Sequence, residues 1–248
     1  MQNPLLQDLL NLSHEIGRED RGLSLPGEGN TSARVDDKTF LVKASGFNLR
    51  TLTESEVVGC RFSALLPLLE QGSLTADQVD EAVLASCVNP GGRKPSVETL
   101  FHAYLLSLPG VKFIAHCHPT FVNQILCSPR ALEFAENRLF PYEVVCCGIA
   151  SVYVPRAESG LKLAQAIRRE TRAFEQRYAC QPRTILLQNH GIITLGETSE
   201  SALLGTLVAE KAARIFVGAV ALGGPVYYPD EDVRRVAGLG PTPGGRPH

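Results

Sequence analysis

The 248-residue sequence has no tryptophan, one methionine and only 6% aromatic residues. Its seven cysteines are an odd number with no Cys-x-x-Cys pair among them. With no export signal either, a disulfide framework is not expected, and the thiols read as small buried hydrophobes. No stretch approaches the ~18 uninterrupted apolar residues of a membrane span, and residues 1–17 lack the basic-then-apolar layout of a leader. Charge bias is missing as well: 24 basic against 26 acidic side chains give a formal net charge of −2. That balance leaves no electrostatic footprint for nucleic acid or an anionic membrane surface. No Gly-x-Gly-x-x-Gly lies between a strand and a helix, which removes support for a Rossmann dinucleotide site. The expectation is a soluble, cytoplasmic protein with neither nucleic acid nor membrane as a partner.

What is present is an ordinary globular composition, 44% apolar and 20% charged, in a chain long enough to bury roughly 70–75% of its unfolded surface. Residues 1–237 read as one domain, and the Gly/Pro-rich stretch Gly238–His248 as a flexible tail. Leucines at three-to-four spacing predict a helix over 3–17. Strands Thr31–Val35 and Thr39–Lys43 flank the turn Asp36-Asp37-Lys38 and predict a hairpin. Thr53-x-x-Glu56 has a capping-box pattern, and Thr75 caps a helix running to Cys87. After the loop Asn89–Pro95, a helix is expected over Ser96–Leu108 with Ser96 as its N-cap. Further strands are read at Val111–Ala115, Glu143–Cys147, Ser151–Val154, Thr184–Leu187 and Ile192–Leu195. Helices are read near 119–127 and 131–138, then over Glu158–Tyr178 and Ser199–Leu222. Such irregular alternation, with several strand pairs close enough for hairpins, predicts an α/β fold with a mixed, largely antiparallel sheet covered by helices.

His116-Cys117-His118 closes the apolar strand Val111–Ala115. Residues i and i+2 of a strand share a face, so both imidazoles converge while Cys117 turns away. Two neutral imidazoles at a buried strand end suit a divalent transition metal, zinc above all; the plain alternative is a hydrogen-bonded histidine pair. Zinc needs a third protein ligand. Among His14, His102, His190 and His248, position favours His190, between two apolar runs, although Asn189-His190-Gly191 is equally good material for a tight turn. His102, four residues after Glu98, could line the same wall. Glu98 itself either complements a helix dipole, worth ~0.3–1 kcal/mol, or serves as a general base beside the metal. The loops Gly27-Glu28-Gly29-Asn30-Thr31-Ser32 and Lys43-Ala44-Ser45-Gly46 are brought together by the hairpin, either as an anion cradle or as two tight turns.

In order along the chain, Gly29-Asn30-Thr31-Ser32, Ala44-Ser45-Gly46, Pro95-Ser96-Val97-Glu98-Thr99-x-x-His102, His116-x-His118-Pro119 and Asn189-His190-Gly191 resemble the class II aldolase/adducin family, in particular its fuculose- and rhamnulose-phosphate aldolase-like members. The resemblance implies a three-layer α/β/α single domain, usually assembled as a homotetramer with active sites at subunit interfaces. It implies that His116, His118 and His190 hold Zn2+ or another divalent transition metal, and that Glu98 is the proton-transfer residue. It further implies that Gly29, Asn30, Ser45, Gly46 and Ser96 bind the phosphate of a small sugar phosphate. Related epimerases carry Asp where this chain has Glu98. The implied reaction is therefore cleavage of a ketose 1-phosphate or related sugar through a metal-stabilised enediolate. An epimerase or dehydratase of the same fold, or a non-catalytic adducin-like interaction domain, are the alternatives. Val97 departs from the pattern, standing where a second hydroxyl often precedes the acid.

Overall fold

The computed structural model describes residues 3–239 apart from Ser73. Strands β1 (Asn30–Arg34), β2 (Thr39–Lys43), β3 (Val57–Arg61), β4 (Phe113–Cys117), β5 (Val152–Val154), β6 (Thr184–Leu187) and β7 (Gly191–Gly196) form one sheet in the order β3-β2-β1-β4-β7-β6-β5. Every neighbouring pair is antiparallel except β5 and β6. The helices are α1 (Pro4–Ile16), α2 (Phe62–Leu65), α3 (Ala76–Ala85), α4 (Thr99–Leu106), α5 (Thr120–Leu126), α6 (Ala131–Glu136), α7 (Pro141–Cys147), α8 (Leu161–Tyr178), α9 (Ser199–Val220) and α10 (Asp230–Val236).

Strand alternation divides the apolar side chains into two layers. Ile114, Ile185, Leu187, Ile193 and Leu195 pack with α2, α3, α4 and α8 on one face. Phe113, Ala115, Cys117, Leu186 and Ile192 pack with α1, α5, α6 and α9 on the other. This is the expected three-layer α/β/α arrangement around a mixed, largely antiparallel sheet. Among the described residues, no helix is long and apolar enough to cross a membrane. The tail read over 238–248 falls, from residue 240 onwards, outside the described residues.

Local chemistry accounts for most boundaries. In the β1–β2 turn, Asp36 Oδ1 accepts from the amides of Lys38 at 2.8 Å and Thr39 at 2.7 Å. Asn3 caps α1 with Pro4 following, and Thr75 and Thr198 open α3 and α9 with reciprocal capping boxes. The capping box at Thr53 opens only a short 3₁₀ turn.

Several expectations change. The segment Glu143–Cys147, read as a strand from its β-branched pair, belongs to helix α7. Pro141 supplies the first helical turn, and the Glu143 carboxylate accepts from the Leu139 amide at 2.8 Å. Val144 and Cys147, three apart, are buried, whereas Val145 between them is 47% exposed; that spacing is helical rather than alternating. Strand β4 sits two residues later than read, because β1 and β7 both offer pairing partners as far as its C-terminal end. Helix α8 starts at Leu161, since Gly160 before it has φ +86°. Strand β3 and helix α10 were not foreseen. The first is a five-residue run behind the capping-box turn, and the second buries only Val233 and so has no apolar stripe to detect.

All seven cysteines are free thiols. Cys60, Cys87, Cys117 and Cys147 are buried as expected, but Cys127 is exposed and Cys146 and Cys180 are half-buried. Burial pushes the Cys60 thiol up to about 12, so it packs as a small apolar group.

Candidate functional site

The site is assembled by strand register. β1 and β4 pair antiparallel with Asn30 opposite His116 and Ser32 opposite Ile114. Directly opposed residues project to the same face, here the face covered by α4. Asn30, Ser32 and His116 thereby lie side by side beneath the helix that begins after Glu98.

The start of α4 differs from the sequence reading. Ser96 is not the helix cap: its Oγ accepts from the Glu98 amide at 3.3 Å and its carbonyl from the Thr99 amide at 3.1 Å. This turn leaves Glu98 at the N-cap position of a helix starting at Thr99. The Glu98 side chain caps nothing. Asn30 Nδ2 donates to its Oε2 at 2.6 Å, while Glu98 Oε2 stands 3.3 Å from His116 Nε2 and Oε1 stands 3.3 Å from His190 Nε2.

His116, His118 and His190 each offer a ring nitrogen to one point, all within 4.8 Å of one another. His116 lies inside β4, and His118 just beyond its end with its backbone amide bonded to Leu23 O. His190 comes from the turn between β6 and β7, where Asn189 adopts φ +56°. The tight turn and the candidate ligand position are therefore the same feature. Gly191 admits this convergence: a Cβ there would lie 2.4 Å from Cys117 O and 2.7 Å from His118 Cδ2. Gly191→Ala is expected to displace His118 and weaken metal binding by about 10–100-fold, the range of changes to the support of a metal ligand. A competitive chelator titration measures this, and unchanged affinity would contradict the packing argument.

The chemistry of the donor set fits a metal. His116 Nδ1 is 2.9 Å from Ile192 O, which can only accept. Nδ1 therefore carries the proton and Nε2 presents its lone pair to the cluster. Glu28 Oε1 stands 3.6 Å from His118 Nδ1, and His118 Nε2 lies 3.3 Å from His116 Nε2. Burial, reinforced by the His118 imidazole, drives His116 down to about 3. Burial and the His116 ring bring His190 to about 4 against the opposing pull of Glu98. Both rings are neutral at pH 7, the form that ligates a cation. Three nitrogen donors with one side open is the arrangement of catalytic rather than structural zinc sites.

Of the five residues implied to bind a phosphate, Ser45, Gly46 and Ser96 lie on two linked loops, while Gly29 leads into β1 and Asn30 opens it. Ala44 and Pro95 form a β-bridge, the Ser45 amide donates to Lys94 O at 2.9 Å, and the Ser96 amide donates to Lys43 O at 3.2 Å. Ser45 and Gly46 are exposed, whereas Ser96 and Asn30 are buried and joined at 3.0 Å. Both N–H groups of Asn30 are thus engaged, one by Ser96 and one by Glu98. Gly29, at φ +70°, packs against His116: a Cβ there would meet the His116 carbonyl oxygen at 2.5 Å. Lys43 is buried beneath this loop with its ammonium on Phe47 O at 2.8 Å and Ala44 O at 3.2 Å. Burial lowers its pKa, and the charge of Glu98 opposes that effect.

Three residues outside the proposed metal, proton-transfer and phosphate sets also join the site: His102, expected on the wall shared with Glu98, and Ser32 and Glu28 of the Gly27–Ser32 loop. Ser32 was legible in principle, two positions after Asn30 on the same strand face. Its hydroxyl lies 2.6 Å from His102 Nδ1, and His102 Nε2 contacts Asn30 Oδ1. Burial, with the charges of His116 and Lys43, holds His102 well below the ordinary histidine range. Glu28 beside His118 had no local signal.

The sequence and the fold also match known proteins. The Class II Aldolase and Adducin N-terminal domain model matches residues 7–217. The chain is 27% identical to the uncharacterised oxidoreductase YuxG of Bacillus subtilis across 96% of its own length, but it spans only 34% of that protein. It is also 27% identical to a 3-oxo-tetronate 4-phosphate decarboxylase of Haemophilus influenzae, over 82% of this chain and 83% of that one. The solved N-terminal class II aldolase domain of a Thermoplasma acidophilum protein superposes with a TM-score of 0.69 at 25% identity, covering 88% of this chain and 95% of that chain. With the match running from α1 almost to the end of α9, the chain belongs to the class II aldolase and adducin N-terminal domain family.

Proposed function

We propose that this protein is a metal-dependent class II aldolase that cleaves a carbon–carbon bond in a ketose 1-phosphate or a closely related sugar phosphate. The observation that carries the reading is the convergence of three histidine nitrogens within 4.8 Å of one another with the Glu98 carboxylate facing two of the rings. A non-catalytic scaffold has no use for three clustered imidazoles facing a buried carboxylate.

His116, His118 and His190 hold the metal, zinc by the nature of the donors. When bound, it supplies Lewis-acid stabilisation of the negative charge that develops on the substrate's carbonyl and hydroxyl oxygens. Glu98 moves the proton at the carbon released by cleavage, from a position where Asn30 holds its Oε2 at 2.6 Å. The loop carrying Ser45 and Gly46, tied to the Ser96 segment and with Lys43 beneath, receives the phosphate together with Gly29 through backbone and hydroxyl donors. The His190 side chain is 26% exposed, so the site opens to one side. The reading includes a homotetramer whose neighbouring subunit closes that opening, which a solution mass measured against the 26.8 kDa of one chain would test.

Metal-loaded protein incubated with ketose 1-phosphates is expected to release aldehyde, and a chelator is expected to abolish the release. A decarboxylase relative makes carbon dioxide the informative competing product. Carbon dioxide, an epimer or a dehydrated product without free aldehyde would overturn the aldolase reading. Protein that takes up no metal would return the chain to the interaction-domain alternative.

A further inference from the structure

We infer that His102, through its Nε2–H tautomer, is a positioning residue that sets the orientation of the Asn30 amide and thereby of the Glu98 carboxylate. The inference rests on reading Glu98 as the proton-transfer group.

Four buried polar side chains form one continuous path. Ser32 Oγ lies 2.6 Å from His102 Nδ1, His102 Nε2 contacts Asn30 Oδ1, and Asn30 Nδ2 donates to Glu98 Oε2 at 2.6 Å. Ser32 and His102 are 0% exposed, Asn30 4% and Glu98 8%. Water is thus unavailable to replace a partner that is lost. The path is assembled where two periodicities meet. Asn30 and Ser32, two apart on β1, share one strand face, and Glu98 and His102, four apart, share one turn at the start of α4. The His102 amide also donates to Glu98 O at 3.4 Å, so the two side chains that Asn30 bridges stand on adjoining backbone.

The donor and acceptor inventory allows one self-consistent assignment. A carboxylate only accepts, so Asn30 must turn its NH₂ towards Glu98, and its second N–H then meets Ser96 Oγ at 3.0 Å. The amide oxygen must therefore face His102 and needs a donor there, so Nε2 carries the proton. Nδ1 is left as an acceptor, and the Ser32 hydroxyl, free to rotate, donates to it. Rotating the amide by half a turn would set its oxygen against the Glu98 carboxylate and its NH₂ against the Nε2 proton. The Glu98 carboxylate and the His102 Nε2 proton hold the amide from its two ends, whereas Ser96 and Ser32 can each reverse their hydroxyls. Without the Nε2–H donor, the Asn30 oxygen loses its partner and the amide is fixed from the Glu98 side alone. The bond that holds Glu98 Oε2 then comes from a donor free to swing with the carboxylate.

The test uses the metal-loaded full-length chain with the substrate found for the wild type, and compares His102→Leu, His102→Gln, Glu98→Gln and the His102→Leu/Glu98→Gln pair. His102→Leu is expected to lower kcat by about tenfold to a hundredfold, the scale of misplacing a reacting group. KM and metal content should stay close to wild type. His102→Gln keeps an N–H within reach of Asn30 Oδ1 and is expected to recover most of the rate. In the Glu98→Gln background the loss from His102→Leu should vanish, because the group it positions has gone. A loss that adds in full in the double variant, or a His102→Gln enzyme as slow as a folded His102→Leu enzyme, would overturn the proposal. If His102→Leu does not fold, His102→Asn replaces it, since its shorter amide reaches Ser32 but not Asn30.

A second measurement is independent of turnover. In the metal-free protein, nitrogen-15 spectra are expected to show His102 protonated at Nε2 alone, and the Asn30 side-chain NH₂ shifted by its two acceptors. In the His102 variant lacking the donor, that NH₂ should move towards the position of a free amide. An Nδ1–H tautomer, or an Asn30 signal indifferent to the substitution, would overturn the inference. The expected spectra in a protein without aldolase activity would uphold it and discard the functional reading instead.

Discussion

Glu98→Gln should lower turnover by at least about a hundredfold, the low end of what a positioned general base contributes, while the bound metal remains at wild-type level. Gln preserves the size of the side chain and can keep its carbonyl oxygen on Asn30 Nδ2, which now donates to Glu98 Oε2 at 2.6 Å. It removes the ability to accept and return a proton. The metal should stay because three imidazole donors lie within 4.8 Å of one another without help from the carboxylate. Elemental analysis and steady-state rates on the same preparation check both halves of the expectation. Full activity would refute the proton-transfer role; loss of metal together with activity would show that Glu98 serves mainly to hold the ion.

The opposite pattern is expected for His116→Ala. This ring is fully buried, its Nδ1 is anchored at 2.9 Å to Ile192 O, and its Nε2 stands 3.3 Å from His118 Nε2. Its removal leaves two ligands, fewer than a zinc site requires. Metal retained through purification should fall by at least about tenfold, since even changes behind the ligands cost that much, and activity should fall with it. The pH dependence of the metal-free proteins separates this effect from misfolding. His116 titrates at about 3 in the fold against an ordinary 6.5, so between those values the unfolded chain binds the extra proton. Stability therefore rises with pH across that window and is lost as pH falls through it. Thermal melting of the metal-free wild type should accordingly drop more steeply between pH 6.5 and pH 4 than that of His116→Ala. Parallel curves would mean that the imidazole is not held neutral by burial.

Much of this architecture could be read locally. The β1–β2 hairpin was legible because Asp36 satisfies the turn amides from within the turn. Helix α3 was legible because Thr75 and Gln78 cap one another. The pairing of His116 with His118 followed from strand alternation alone. The reading failed where tertiary context outweighed propensity. The valines of α7 prefer a strand, but Pro141 and the carboxylate of Glu143 start a helix that buries Val144 and Cys147. Ser96 looked like a cap because it precedes an apolar helix. Its backbone is instead tied to Lys43 O, which moves the helix start to Thr99 and places Glu98 over the sheet.

The sequence by itself determined the residue types of the site, the strand and helix periods that carry them, and the family to which their order points. Only the tertiary structure decided how they work together. Strand register across β1, β4 and β7 set Asn30 against His116 and His116 against Ile193. The β6–β7 turn then delivered His190 to His116 of β4 and to His118 just beyond it. Register also turned Asn30 inward, so that its amide serves Glu98 and Ser96, and it gave His102 a partner at each nitrogen. The physical reason is that propensity, capping and alternation act within a few residues of chain. Which lone pair meets which proton in a buried site depends instead on contacts between segments some seventy residues apart, and no local pattern records those.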